Sequence, residues 1–204
     1  MLFRSWAQTD KLLVVHKPDP TKSRGQYLDL LKLAVDEDPR CPRNAFYYAR
    51  ELTFYHKWLD AIVALNKYLD MPEANWQNER CYAMRLLGKA YDALGQDGTD
   101  WFKKACQEAP NTREPWIELA ESYMAKKMWQ ECYTNALRAL EIKDKALVYT
   151  MRPDVWGSLP YDLLALSSYY MNDKENAFKY GKIALELEPT NERLKTNLEF
   201  YQNA

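Results

Sequence analysis

Trp116-Ile117-Glu118-Leu119-Ala120-Glu121-Ser122-Tyr123 is the stretch whose reading decides the fold of this chain. By size it runs large, two residues of any kind, large, small, two residues, large, and a helix-compatible run follows. Three more stretches repeat the order: Ala45-x2-Tyr48-Ala49-x2-Leu52, Met84-x2-Leu87-Gly88-x2-Tyr91 and Tyr161-x2-Leu164-Ala165-x2-Ser168. Spacings of three and four place the named residues on one face of a helix. The small residue is where a second helix can approach closely. One such helical pair cannot bury its apolar face alone, so the copies must stack.

Working outward, the spacing predicts four hairpins, over about 43–71, 78–109, 112–143 and 159–188, and a capping helix over 191–202. Pro72, Pro110 and Pro189 supply helix stops. In the second hairpin, Gly95 and Gly98 suggest a turn about two residues tighter than the usual spacing of such repeats. A helix over about 24–37, capped by Ser23, precedes the first hairpin, with Tyr27, Leu30, Leu31 and Ala34 on one face. Residues 11–16, Lys-Leu-Leu-Val-Val-His, read as a short strand, and Lys17-Pro18-Asp19-Pro20 as an extended turn. Residues 1–22 are thus expected to form an extended N-terminal segment, and 23–204 a helical repeat domain. The copies begin unevenly, at 45, 84, 116 and 161, and the widest gap holds an insertion at 145–158. Its Tyr149, Met151, Val155 and Trp156 are too apolar for a linker. It is expected to pack on the concave groove, the alternative being a binding element.

The W-x2-L-G-x2-Y order, at a period of roughly 34 residues, resembles the tetratricopeptide (TPR) family. That resemblance implies an all-α superhelix of antiparallel helical hairpins and a role in holding partners.

Bulk properties agree with a binding rather than a catalytic chain. The net charge of −1 over 204 residues supplies no field for nucleic acid or anionic lipid. No apolar run approaches the ~20 residues of a membrane span, and Met1 to Asp10 lack the order of a signal peptide. Cys41, Cys81, Cys106 and Cys132 are scattered, without metal-ligand spacing, and read as reduced thiols of a cytoplasmic protein. Phosphate, dinucleotide, zinc and serine-nucleophile signatures are all missing. Asp36-Glu37-Asp38 imitates a metal-binding D-x-D but ends an amphipathic helix before Pro39. His56 falls in a turn. His16, after the strand-like run, is the weak candidate for a metal or acid–base role. No cofactor is expected.

The 14% aromatic content mostly fills core slots of the repeat. The exceptions define the candidate groove. Arg43, Tyr47, Arg50, Phe54, Tyr82, Arg85, Lys89, Tyr169 and Tyr170 lie on first helices of their hairpins, where the register turns them inward. Cations beside flat apolar surface suit an acidic or aromatic-bearing peptide. The Lys/Asn carboxylate clamp of chaperone-tail binders does not occur at these positions.

A second resemblance rests on Val15-His16-Lys17-Pro18-Asp19-Pro20, Lys22-Ser23-Arg24-Gly25, Pro42 to Leu52, Trp156-Gly157, Pro160 to Leu166 and Asn191 to Leu198. These stretches are similar to the C-terminal helical region of family 2 (GT-A type) glycosyltransferases. The resemblance implies that an upstream nucleotide-sugar domain of the same polypeptide is a partner of the groove, with His16 near its metal. The chain leaves no room for that domain before residue 12. Its expected role is therefore a non-catalytic scaffold module, with a glycosyltransferase lacking its catalytic half, or a self-associating assembly unit, as alternatives.

Overall fold

A computed structural model of the chain describes residues 25–203. The strand expected at 11–16, the extended segment 1–22, Ser23 and His16 lie outside the described residues.

The described residues form ten α-helices and one 3-10 turn, with no strand among them. Helix α1 (Tyr27–Glu37) leads into four antiparallel pairs: α2 (Pro42–Phe54) with α3 (Trp58–Leu69), α4 (Gln77–Ala93) with α5 (Thr99–Glu108), α6 (Arg113–Ala125) with α7 (Trp129–Glu141), and α8 (Leu159–Tyr170) with α9 (Lys174–Leu187). Helix α10 (Glu192–Asn203) closes the stack against α9. This is a TPR superhelix of helical hairpins.

The small residues stand where helices meet most closely. Ala49, Ala120 and Ala165 are wholly buried, as are Ala61, Ala136 and Ala177 on the returning helices. At Gly88 a Cβ would stand 2.6 Å from the ring of Phe102, so only glycine lets α5 come this close. Phe46, Leu65, Tyr68 and Leu87 fill the space between the first two pairs. Each such large apolar side chain contributes about 1.5–3 kcal/mol of burial. Trp116 packs against the clusters on both sides of α6, bridging Leu119 and Phe102 to Ile117 and Leu163.

The four hairpin turns share one backbone solution. His56, Gly95, Lys127 and Asn172 all take left-handed φ, from 54° to 73°. Each stands four residues after the last large or polar position of its repeat. The next residue's N–H reaches back to that position's carbonyl: Lys57 to Leu52, Gln96 to Tyr91, Met128 to Tyr123 and Asp173 to Ser168, at 2.9–3.0 Å. This is the Schellman closure, which satisfies carbonyls the helix end leaves open.

Two expectations need correction. The α4–α5 turn is longer, not tighter: residues 94–98 make it, where 55–57, 126–128 and 171–173 make the others. Gly98 explains why, since its backbone lies against the Gly88 carbonyl and the chain must detour to bring α5 that close. In α1 the buried residue is Leu28, packed with Leu52 and Ala61, whereas Leu30 is 60% exposed. Helix α1 carries apolar residues on several faces, and its packing, chiefly on α2, selects which of them is covered.

Candidate groove on the first-helix side

Helices α2, α4, α6 and α8 touch in succession, whereas α3, α5, α7 and α9 have no comparable mutual contact. The stack is therefore tighter on the side of the first helices, and that side is concave. Residues 143–152 leave α7 and cross this face without helix or strand structure before the 3-10 turn Pro153–Trp156. Val155 anchors the far end, wholly buried against α6 and α8.

At the N-terminal end of the face the expected residues converge. The Arg50 guanidinium lies 4.8 Å from the Tyr47 ring, 5.7 Å from Phe54 and 6.0 Å from both Phe46 and Tyr149. Arg43 lies over Tyr47 at 5.4 Å. No carboxylate pairs with Arg50 among the described residues, and its Nε is buried without a hydrogen-bond partner. A buried N–H left unbonded costs about 1–3 kcal/mol. Phe54 is 50% exposed beside it. An open cavity of about 400 Å3 adjoins Arg43 and Tyr47, walled by Trp76 and Tyr149 with Glu79 at its base.

In the middle of the face the cations already have an acid partner. Arg85 is only 2% exposed and makes a two-pronged bond to Glu118, Nε to Oε2 at 2.7 Å and Nη2 to Oε1 at 2.8 Å. Its Nη1 donates to the Thr150 carbonyl at 3.2 Å. Lys89 donates to the same Glu118 at 2.7 Å. Burial alone would raise the Glu118 carboxyl, but the charges and hydrogen bonds of Arg85 and Lys89 outweigh it and hold the group well below the usual carboxylate range. Tyr82, half-buried, lies between Phe46 and Arg85.

Tyr169 and Tyr170 lie apart from this group, on the last hairpin. Tyr169 joins the core with Ala165, Ala177 and Tyr201. Tyr170 stacks on Trp129 of α7, centroids 4.1 Å apart and nearly parallel.

Sequence reasoning missed the acids and the crossing segment that organise the face. Arg152 donates to Glu118 and Glu121 and pairs with Asp154, while its backbone N–H reaches Glu114. Tyr68 and Tyr149 both donate their hydroxyls to Glu79, and burial followed by that carboxylate pushes both phenols up. The available signal was glutamate at positions flanked by core residues. A larger hollow of about 730 Å3 lies between Arg40 and α3, but there Arg40 and Glu73 already pair, at 2.7 Å.

No family model and no curated protein matches this sequence. Among solved structures the chain is similar to MamA, with a TM-score of 0.64 and 18% identity over 81% of this chain and 89% of that one. PilF of Pseudomonas aeruginosa gives 0.63 and 14%, covering 86% and 72%. TTC0263, a thermophilic TPR protein in Thermus thermophilus, gives 0.58 and 17%, covering 88% and 92%. At these identities the likeness is one of fold. Among the described residues no helix is long and apolar enough to cross a membrane.

Proposed function

We propose that the chain is a non-catalytic protein-interaction module of the cytoplasm, and that the N-terminal end of its concave face receives an acidic or aromatic-bearing peptide. The observation that carries this is Arg50. Its cation is held in place by four rings, lacks a carboxylate among the described residues, and keeps an unbonded Nε. A partner carboxylate would pair with the guanidinium's unopposed charge, and an aromatic side chain would extend the surface of Phe54 and Tyr47. Arg43 adds a second exposed cation at the rim. Arg85 and Lys89 already share Glu118, so they are less available there to a partner's acid than Arg50 is.

Selection from a displayed peptide library tests it. Enriched sequences should combine acidic and aromatic residues, and Arg50→Glu should reduce their binding at least ~10-fold. Enriched peptides that bind Arg50→Glu as well as the parent, or no enrichment at all, would sink the idea.

A second reading follows the glycosyltransferase resemblance, whose Pro42 to Leu52 portion forms α2, the helix bearing Arg43, Tyr47 and Arg50. On that reading the same end of the face docks a nucleotide-sugar domain of the same polypeptide. Genomic sequence upstream of Met1 decides it: an in-frame strand–helix region with a D-x-D supports it, and its absence removes it.

A further inference from the structure

The segment 144–152 sits on the first-helix side as a bound peptide would. Asp144, Ala146, Val148 and Thr150, every second residue, line a gap of only about 10 Å3 against Cys81 and Arg85 of α4 and Glu114 of α6. Burial deepens along the segment, from the exposed Asp144 and Ala146 to Thr150 at 7%, and a turn closes it where the Met151 N–H meets the Val148 carbonyl at 3.0 Å. Three kinds of contact hold it. The Tyr149 ring lies 5.4 Å from Trp76 and 6.3 Å from Tyr47, with its hydroxyl on Glu79. The Thr150 carbonyl accepts from Arg85. Arg152 enters the acids Glu118 and Glu121 of α6.

We propose that the concave face over α4 and α6 is a binding subsite for an extended peptide bearing a tyrosine and, three residues later, an arginine, which the chain's own residues 144–152 fill. The inference rests on the reading of this face as peptide-binding, and it names the partner chemistry of its middle part. Complementarity supplies the specificity. Without Arg152, the acids Glu114, Glu118 and Glu121 outnumber the cations Arg85 and Lys89 that the face itself contributes. A basic side chain therefore belongs there. Glu79 is buried with both oxygens taken by phenol hydroxyls and, among the described residues, no ion-pair partner. Phenylalanine in place of the tyrosine would leave one of those oxygens without its donor. A peptide from a partner reaches the subsite by replacing a segment that no helix or strand bond holds in place.

The probe is a labelled synthetic peptide of residues 143–152, Lys-Asp-Lys-Ala-Leu-Val-Tyr-Thr-Met-Arg. Full-length Tyr149→Ala/Arg152→Ala protein, whose own segment has lost its anchors, should bind it at least ~10-fold more tightly than the parent, where the tethered segment competes at high effective concentration. The peptide with phenylalanine for tyrosine should bind that variant about 5-fold more weakly, the loss of one hydrogen bond. Equal affinity for parent and variant, including no binding to either, would overturn the proposal. If the double variant loses its helical circular dichroism, Tyr149→Phe serves instead. Amide hydrogen exchange over 144–150 should then quicken while the helices exchange as before, and unchanged exchange there counts against the subsite. Should library peptides bind through Arg50 while the 143–152 peptide does not bind the vacated face, only this inference fails. The reverse result removes the Arg50 reading and leaves the subsite standing.

Discussion

Arg50 and Lys89 occupy the same register, each one residue after the small position of its repeat, at Ala49 and Gly88. Their surroundings are opposite. Lys89 donates to Glu118 of the next first helix, and Arg85 one turn earlier is buried in the same carboxylate. Arg50 meets rings of its own helix and of Tyr149 instead of an acid, and α4 carries Leu86 at the register position that Glu118 holds on α6. One region of the concave face is therefore closed by its own charges and a crossing segment, and the other is open. A cation on a first helix is available to a partner only if the following repeat brings no acid to it.

The comparison breaks most readily at Glu118. Glu118→Ala strands the buried Arg85 and should cost about 3–5 kcal/mol, read as a lower denaturation midpoint with an unchanged slope. A variant that unfolds like the parent would show that the closed region is not held by this pair. The same carboxylate sets a pH dependence. Its folded pKa is depressed, so its contribution is complete above the unfolded value of about 4.3 and is lost as pH falls below it. Melting of the parent between pH 5 and pH 3 should fall more steeply than that of Glu118→Gln, and parallel curves would contradict the assignment.

Gly88→Ala tests how the closed region is positioned. The added methyl meets the Phe102 ring and should cost about 1–3 kcal/mol by overpacking. An unshifted melt would mean that α5 has room to move away. Tyr149→Phe, which removes one hydroxyl from Glu79, should cost about 0.5–1.5 kcal/mol in thermal unfolding. Arg50→Ala should have the smallest effect, within about 1 kcal/mol, since it loses ring contacts but also an unbonded Nε. A loss as large as that at Glu118 would show Arg50 to be structural, and the open region would lose its meaning as a site.

How far the sequence reached can be followed at particular residues. Ala49, Gly88, Ala120 and Ala165 announced the hairpins because close helix approach depends on side-chain volume, and volume is written in the residue type. The left-handed turns at His56, Lys127 and Asn172 carried no glycine to mark them, yet their place followed from the repeat itself. Leu28 rather than Leu30 faces α2, which periodicity did not resolve in a helix apolar on several sides.

The placement of the candidate residues on first helices was legible in the sequence, and their charge pairing was not. Sequence by itself determined which residues sit on first helices: Arg43, Tyr47, Arg50, Phe54, Tyr82, Arg85 and Lys89. Only the tertiary structure decided that Arg85 and Lys89 both pair with Glu118, about thirty positions away, and that Tyr149 and Arg152 return across the face to fill its middle. The reason is the range of the interactions. Helix periodicity and close packing within a hairpin act between near neighbours in the chain, so composition and spacing encode them. Charge compensation on a curved face acts between successive repeats, and it is fixed only when the stack brings their side chains within a few ångströms.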